Sequence, residues 1–87
     1  MKILVTGAAG FIGSHVSKYL CKKNYKVYGL DNISDYYEKR LKLDRLKWIK
    51  NKNFTFNQID LLDKKNLDIF ISKNNFDLVI HLAAQPG

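Results

Sequence analysis

The chain has 87 residues, a formal net charge of +7 and 46% hydrophobic residues. That is enough for one small domain at most, and too apolar for wholesale disorder. A single cysteine, Cys21, excludes an internal disulfide and a Cys-based zinc site, and no apolar run approaches the roughly 18 residues that cross a bilayer.

Residues 1–5 are apolar after Lys2, but Gly7 and Gly10 interrupt the run before it becomes a signal-peptide core. A cytoplasmic protein with no membrane partner is expected. Residues 2–6 (KILVT) form a short β-branched run, read as a strand buried on both faces. Gly7, Ala8, Ala9 and Gly10 make a turn open only to small residues. From residue 11 to 23, Ile12, Val16, Tyr19 and Leu20 recur at helical spacing, and the basic last turn suits the negative end of the helix dipole. Asn24 and Tyr25 turn the chain into a second strand, residues 26–30, ending at Asp31.

Asp35 is read as the N-cap of a second helix, with Glu38 completing a capping box, and this helix runs to about Lys50. Residues 54–59 alternate as a third strand. Asp63 caps a third helix whose inner face is Leu67, Phe70 and Ile71, and residues 77–82 form a fourth strand. Strands alternating with helices imply parallel pairing and right-handed crossovers. The fold class is therefore α/β, the N-terminal part of a doubly wound parallel (Rossmann) sheet with strand order 3-2-1-4. Leu4, Val5, Val27, Ile59, Val79 and Ile80 are expected among its buried positions.

Basic residues crowd the stretch from 39 to 52, over the second helix and just past it: Lys39, Arg40, Lys42, Arg45, Lys47, Lys50 and Lys52. A nucleic-acid face is one reading. The favoured one is a solvated exterior, because Leu41, Leu46 and Ile49 fall between the charges at helical spacing and arginine is scarce. No nucleic-acid partner is expected.

The sharpest signal is Gly7-Ala8-Ala9-Gly10-Phe11-Ile12-Gly13 between a strand and a helix. The first glycine permits the turn, the second leaves no Cβ in the way of a pyrophosphate, and the third lets the helix approach the strand. A pyrophosphate would lie at the helix N-terminus. Asp31 follows Gly13 by 18 residues, at the end of strand two. Its carboxylate can accept bonds from a ribose diol and repel a 2′-phosphate, which favours NAD over NADP. Asp60 is a further candidate, as an acceptor for an adenine amino group or as a simple turn aspartate. Ala83 and Ala84 are small enough for a cofactor to approach the backbone, or merely for tight packing. His15 and His81 have no nucleophile or carboxylate at catalytic spacing and are read as structural. Cys21 reads as a small core residue. Tyr36 and Tyr37 are open to stacking or packing.

The opening KILVTGAAGFIGSHV resembles the nucleotide-binding signature of the extended short-chain dehydrogenase/reductases, in the NAD-dependent epimerase/dehydratase group. Asp31-Asn32, then Asp35-Tyr36-Tyr37, Leu41, Leu43 and Arg45-Leu46, resemble more narrowly the UDP-glucuronate 4-epimerases of bacterial capsule and surface-polysaccharide pathways. His81-Leu82-Ala83-Ala84-Gln85 is similar to the segment bordering the cofactor there. The resemblance implies NAD as cofactor. It assigns Gly7, Gly10 and Gly13, with Phe11 and Ile12, to the pyrophosphate, and Asp31, Asn32, Ser34 and Asp35 to the adenosine ribose. Asp60 and Leu61 fall beside adenine, and Leu82, Ala83 and Ala84 beside the nicotinamide half.

Family members oxidise C4 of a nucleotide sugar with NAD and return the hydride to the other face. They do so with a Ser/Thr and a Tyr-x-x-x-Lys pair that lie beyond this stretch. Here Tyr19 and Lys23 match the spacing, but on the first helix, and Arg40 follows Tyr36. Residues 1–87 thus read as a partial NAD-binding Rossmann domain without the catalytic and sugar-binding parts, so no catalytic residue is assigned. A UDP-sugar substrate is expected only for a full-length relative. The alternative is a free-standing nucleotide-binding module without chemistry.

Overall fold

The computed structural model describes residues 1–33 and 39–83. Among the described residues, strands and helices alternate in seven elements: β1 (Lys2–Thr6), α1 (Phe11–Lys22), β2 (Lys26–Asp31), α2 (Lys39–Ile49), β3 (Phe54–Gln58), α3 (Lys64–Asn74) and β4 (Leu78–His81). The strands form one sheet in the order β3-β2-β1-β4, and every pairing is parallel. This is the order that right-handed crossovers impose on the expected elements. The capping box of Asp35 and Glu38 lies outside the described residues.

Alternation along the strands assigns the helices to opposite faces of the sheet. Val27 joins Ile3, Val5, Ala8 and Cys21 in the main core cluster, so that face carries α1. The next residue, Tyr28, points the other way and meets Phe70 of α3 and Phe76, ring centroids 6.3 and 5.3 Å apart. Lys2 seals this second cluster. Its Nζ donates to the Asn74 carbonyl at 2.6 Å and lies 5.2 Å from the Tyr28 ring centroid.

The buried side of α1 is built from small residues: Gly13, Ser14, Ser17 and Cys21. The apolar spacing pointed instead to Ile12, Val16, Tyr19 and Leu20. Ile12 and Tyr19 are exposed, and Val16 and Leu20 are half-buried. The helix lies too close to the sheet for large side chains on its inner side, so proximity overrides hydrophobic periodicity. The expected core also needs correction at its margins. Leu4, Val5 and Val27 are buried, Ile59 and Ile80 are half-buried, and Val79 is 49% exposed. The strand order makes β1 and β2 central and leaves β3 and β4 with one neighbour each. On α3, Leu67 and Phe70 are half-buried, whereas Ile71 is exposed.

Candidate functional site

The glycine turn leaves β1 across the end of β2. The N–H groups of Gly7 and Ala8 both donate to the Leu30 carbonyl, at 2.8 and 3.1 Å. Gly7 has φ of +73°, which favours glycine, and a Cβ there would stand 2.8 Å from backbone atoms of Ala83. A Cβ on Gly13 would stand 2.0 Å from the Gly7 carbonyl oxygen, so helix and turn meet backbone to backbone. Gly10 differs, because a Cβ there would meet only the Gly7 oxygen, at 3.2 Å. That contact is tight, but a shift of a few tenths of an ångström relieves it, unlike the clash at Gly13. Gly10 is also the N-cap of α1 and supplies no side-chain cap, so the first-turn N–H groups keep their donor capacity toward an outside acceptor.

Asp31 ends β2, buried, with its carboxylate held from three sides. Oδ2 accepts from the Ala9 N–H at 3.2 Å, and Oδ1 accepts from the Ile33 N–H at 3.0 Å and from Lys42 Nζ at 3.1 Å. Ile33 adopts φ of +55°, an uncommon setting for a β-branched residue. The Asp31 bond to its N–H and the burial of its side chain support that conformation. Asn32 follows Asp31 and its carbonyl accepts from Gln58 Nε2 at 3.2 Å.

At the end of β1, the Thr6 hydroxyl joins the turn to the end of β4. Its Oγ1 accepts from the Leu82 and Ala83 N–H groups, at 3.1 and 3.3 Å, and lies 2.7 Å from His81 Nδ1. With two donors already on that oxygen, the hydroxyl proton is free to point at Nδ1. Gly7, Gly10, Gly13, Asp31 and Ala83 thus converge at the C-terminal end of the sheet. Phe11 and Ile12 start α1 with their side chains exposed.

Asp60 lies in a local turn, where its Oδ1 accepts from the Leu62 N–H at 2.9 Å and its carbonyl accepts from the Asp63 N–H. Leu61 is half-buried beside it and Leu82 is exposed. Ser34, Asp35 and Ala84 lie outside the described residues.

His15 packs between Phe11 and Trp48, with ring centroids 4.7 and 4.8 Å away. Burial pushes the Cys21 thiol above its ordinary pKa, which keeps it unreactive. Among the described residues no cluster of three or more His, Cys, Asp or Glu side chains could hold a metal ion, and no helix is long and apolar enough to cross a membrane.

The basic helix is not wholly a solvated exterior. Lys42 reaches Asp31, and Arg45 Nη1 donates to the Ala9 carbonyl at 3.3 Å. Leu41, read as an inner residue, is 51% exposed, while Ile49 is buried. The sequence reading missed Lys42, Arg45 and Thr6 as parts of the site. Their signal was available: Lys42 and Arg45 are three residues apart on one helix face, and Thr6 immediately precedes the first glycine.

Comparison with known proteins fits this geometry. Residues 4–87 match the family profile described as GDP-mannose 4,6 dehydratase. Protein CapI of Staphylococcus aureus is 49% identical over the whole chain, which covers 26% of that protein. The UDP-glucuronate 4-epimerase of Thermodesulfobacterium geofontis is 44% identical, with 97% of this chain and 26% of that protein covered. A UDP-glucuronic acid 4-epimerase from Bacillus cereus, solved in complex with UDP-4-deoxy-4-fluoro-glucuronic acid and NAD, superposes with a TM-score of 0.82. It is 40% identical, and the match covers 100% of this chain and 27% of that one. The chain spans about a quarter of the length of the relatives it matches. The matched stretch corresponds to the N-terminal, NAD-binding region of UDP-sugar 4-epimerases. The chain belongs to the GDP-mannose 4,6-dehydratase family of NAD-dependent epimerases and dehydratases, within the extended short-chain dehydrogenase/reductases.

Proposed function

We propose that residues 1–87 are the NAD-binding part of a nucleotide-sugar 4-epimerase of the UDP-glucuronate type, and that they carry no chemistry alone. The observation that carries this reading is the contrast between Gly10 and Gly13. Gly13 is required by the chain's own packing. At Gly10 a Cβ would meet only the Gly7 oxygen, at 3.2 Å, a tight contact but far short of the 2.0 Å clash at Gly13, and the bare backbone there suits a ligand at the start of α1. The donor set also fits the group, with uncapped helical N–H groups for a pyrophosphate and a buried carboxylate for a ribose.

Gly7, Gly10, Phe11, Ile12 and Gly13 would present backbone to the pyrophosphate. Asp31 and Asn32, joined by Ser34 and Asp35, would take the adenosine ribose. Asp60 and Leu61 would lie beside adenine, and Leu82, Ala83 and Ala84 beside the nicotinamide half. NAD, when bound, supplies the hydride acceptor. The Thr6 hydroxyl holds the Leu82–Ala83 backbone against the glycine turn, and Asp31 orients Ala9 through its N–H. The one Tyr-x-x-x-Lys spacing in the sequence, Tyr19 with Lys23, falls on α1 with Tyr19 exposed, so no proton-accepting role is assigned to it. The UDP-sugar would be held by parts corresponding to the rest of the relatives' length.

Calorimetry with NAD against the wild-type chain and Asp31→Ala tests this reading. Binding by the wild type that Asp31→Ala abolishes is expected. NADP bound more tightly than NAD by the wild type would contradict it.

A further inference from the structure

Asp31 does not face the ribose position alone. Lys42 Nζ sits 3.1 Å from its Oδ1, with only 14% of the lysine side chain exposed and 5% of the aspartate's. One helical turn on, Arg45 Nη1 donates to the Ala9 carbonyl, and the Ala9 N–H donates to Asp31 Oδ2. The acid, the glycine turn and α2 therefore close a ring: Asp31 to Ala9, Ala9 to Arg45, then along α2 through Lys42 back to Asp31. Arg45 fixes the helix on the turn, and this holds the lysine ammonium against the carboxylate. An ammonium has three donors and no acceptor, and among the described residues the Lys42 ammonium donates to Asp31.

We infer that Lys42 is a specificity-determining residue of the nucleotide site: it sets how strongly the chain rejects a ribose 2′-phosphate. The inference rests on the reading of this site as the NAD site. A lone buried carboxylate at the ribose excludes a 2′-phosphate by like-charge repulsion, whereas a cation beside the 2′ position accommodates one. Here both groups occupy one place. The pair is nearly neutral, so Asp31 contributes shape and hydrogen bonding for a diol while Lys42 cancels much of its repulsion of phosphate. The preference for NAD is accordingly held by a single charge, with an unmet cation next to it once that charge is removed.

The test is an amide-resolved NMR titration of the intact 87-residue chain with NAD and with NADP, on wild type, Asp31→Asn and the double variant Asp31→Asn/Lys42→Gln. Asn keeps the shape of Asp and an oxygen for the Ile33 N–H. The wild type should bind NAD more tightly. Asp31→Asn should reverse the order and bind NADP more tightly by roughly tenfold, because Lys42 is then an uncompensated cation beside the 2′-phosphate. The double variant should lose that reversal. Amide shift dispersion of each variant, recorded before nucleotide is added, separates misfolding from a change of preference. Equal binding of the two nucleotides by Asp31→Asn, loss of both, or a reversal that persists in the double variant overturns the role of Lys42 while leaving the NAD site standing. Binding of neither nucleotide by the wild type overturns both.

Discussion

Gly10 and Gly13 lie three residues apart in one turn and carry opposite kinds of constraint. Gly13→Ala puts a Cβ 2.0 Å from the Gly7 carbonyl oxygen and 2.8 Å from its carbon. Backbone atoms cannot swing aside as a side-chain tip can, so a loss of about 3 kcal/mol or more of stability is expected in urea unfolding. Gly10→Ala meets that oxygen at 3.2 Å and should cost about 1 kcal/mol or less, while NAD affinity falls by roughly tenfold or more. The sequence pattern made both glycines legible as parts of one motif. It also divided their roles, the third glycine for helix–strand approach and the second for a pyrophosphate, and what it could not supply is the distance at which each missing Cβ would meet the Gly7 carbonyl.

Ser17 is a second case, with its hydroxyl buried and no hydrogen-bond partner among the described residues. Ser17→Ala should raise stability by up to about 1 kcal/mol, read as a higher urea midpoint at unchanged slope. Polar residues on a helix face read as exterior in a sequence. Ser14 and Ser17 are interior because only small side chains fit between α1 and the sheet.

Among the elements, β1 and the end of β4 depend on each other through one hydroxyl. Thr6→Val keeps the shape of the side chain and removes the acceptor for the Leu82 and Ala83 N–H groups together with the contact to His81. Leu82 retains the Thr6 carbonyl as a partner at 3.1 Å, so the loss should concentrate at Ala83. Hydrogen exchange at the Ala83 amide should accelerate by at least about tenfold, with a global cost of about 1–2 kcal/mol. An unchanged Ala83 rate would show that another group holds this segment.

The same scale separates what the sequence disclosed of α2 from what it did not. Its helical period, its charge and the burial of Ile49 follow from residue spacing. The turn of Lys42 and Arg45 toward Asp31 and Ala9 does not, because it depends on the crossover laying α2 beside the end of β2 and the glycine turn. A run of cations then looks like solvated surface, although two of its members hold the site together.

At the scale of the whole molecule, alternation of strands and helices was enough to fix the parallel sheet and its order, because right-handed crossovers leave few other arrangements. Burial at the margins was not legible in the same way. Val79 has the composition of a core strand, yet it stands on a strand with a single neighbour and is 49% exposed. Apolar composition marks a residue that gains from cover, and topology decides whether cover reaches it. On the proposed function, residues 1–87 hold the cofactor side of an epimerase centre. An assay of the purified 87 residues at high protein concentration should therefore show no interconversion of UDP-glucuronate and its C4 epimer, even with NAD added. Turnover would require a proton acceptor within these residues and would refute the assignment of chemistry to parts outside them.

The central claim is that the glycine turn and Asp31 form one NAD site, and the most direct measurement is an amide chemical-shift map of the chain titrated with NAD. The largest shifts should fall on Gly7, Ala9, Gly10, Phe11, Ile12, Gly13, Asp31 and Ala83, with little change along α3, and Asp31→Ala should erase them. Shifts that gather on α3, shifts unaffected by Asp31→Ala, or a wild-type chain that responds to NADP at lower concentration than to NAD would contradict the account.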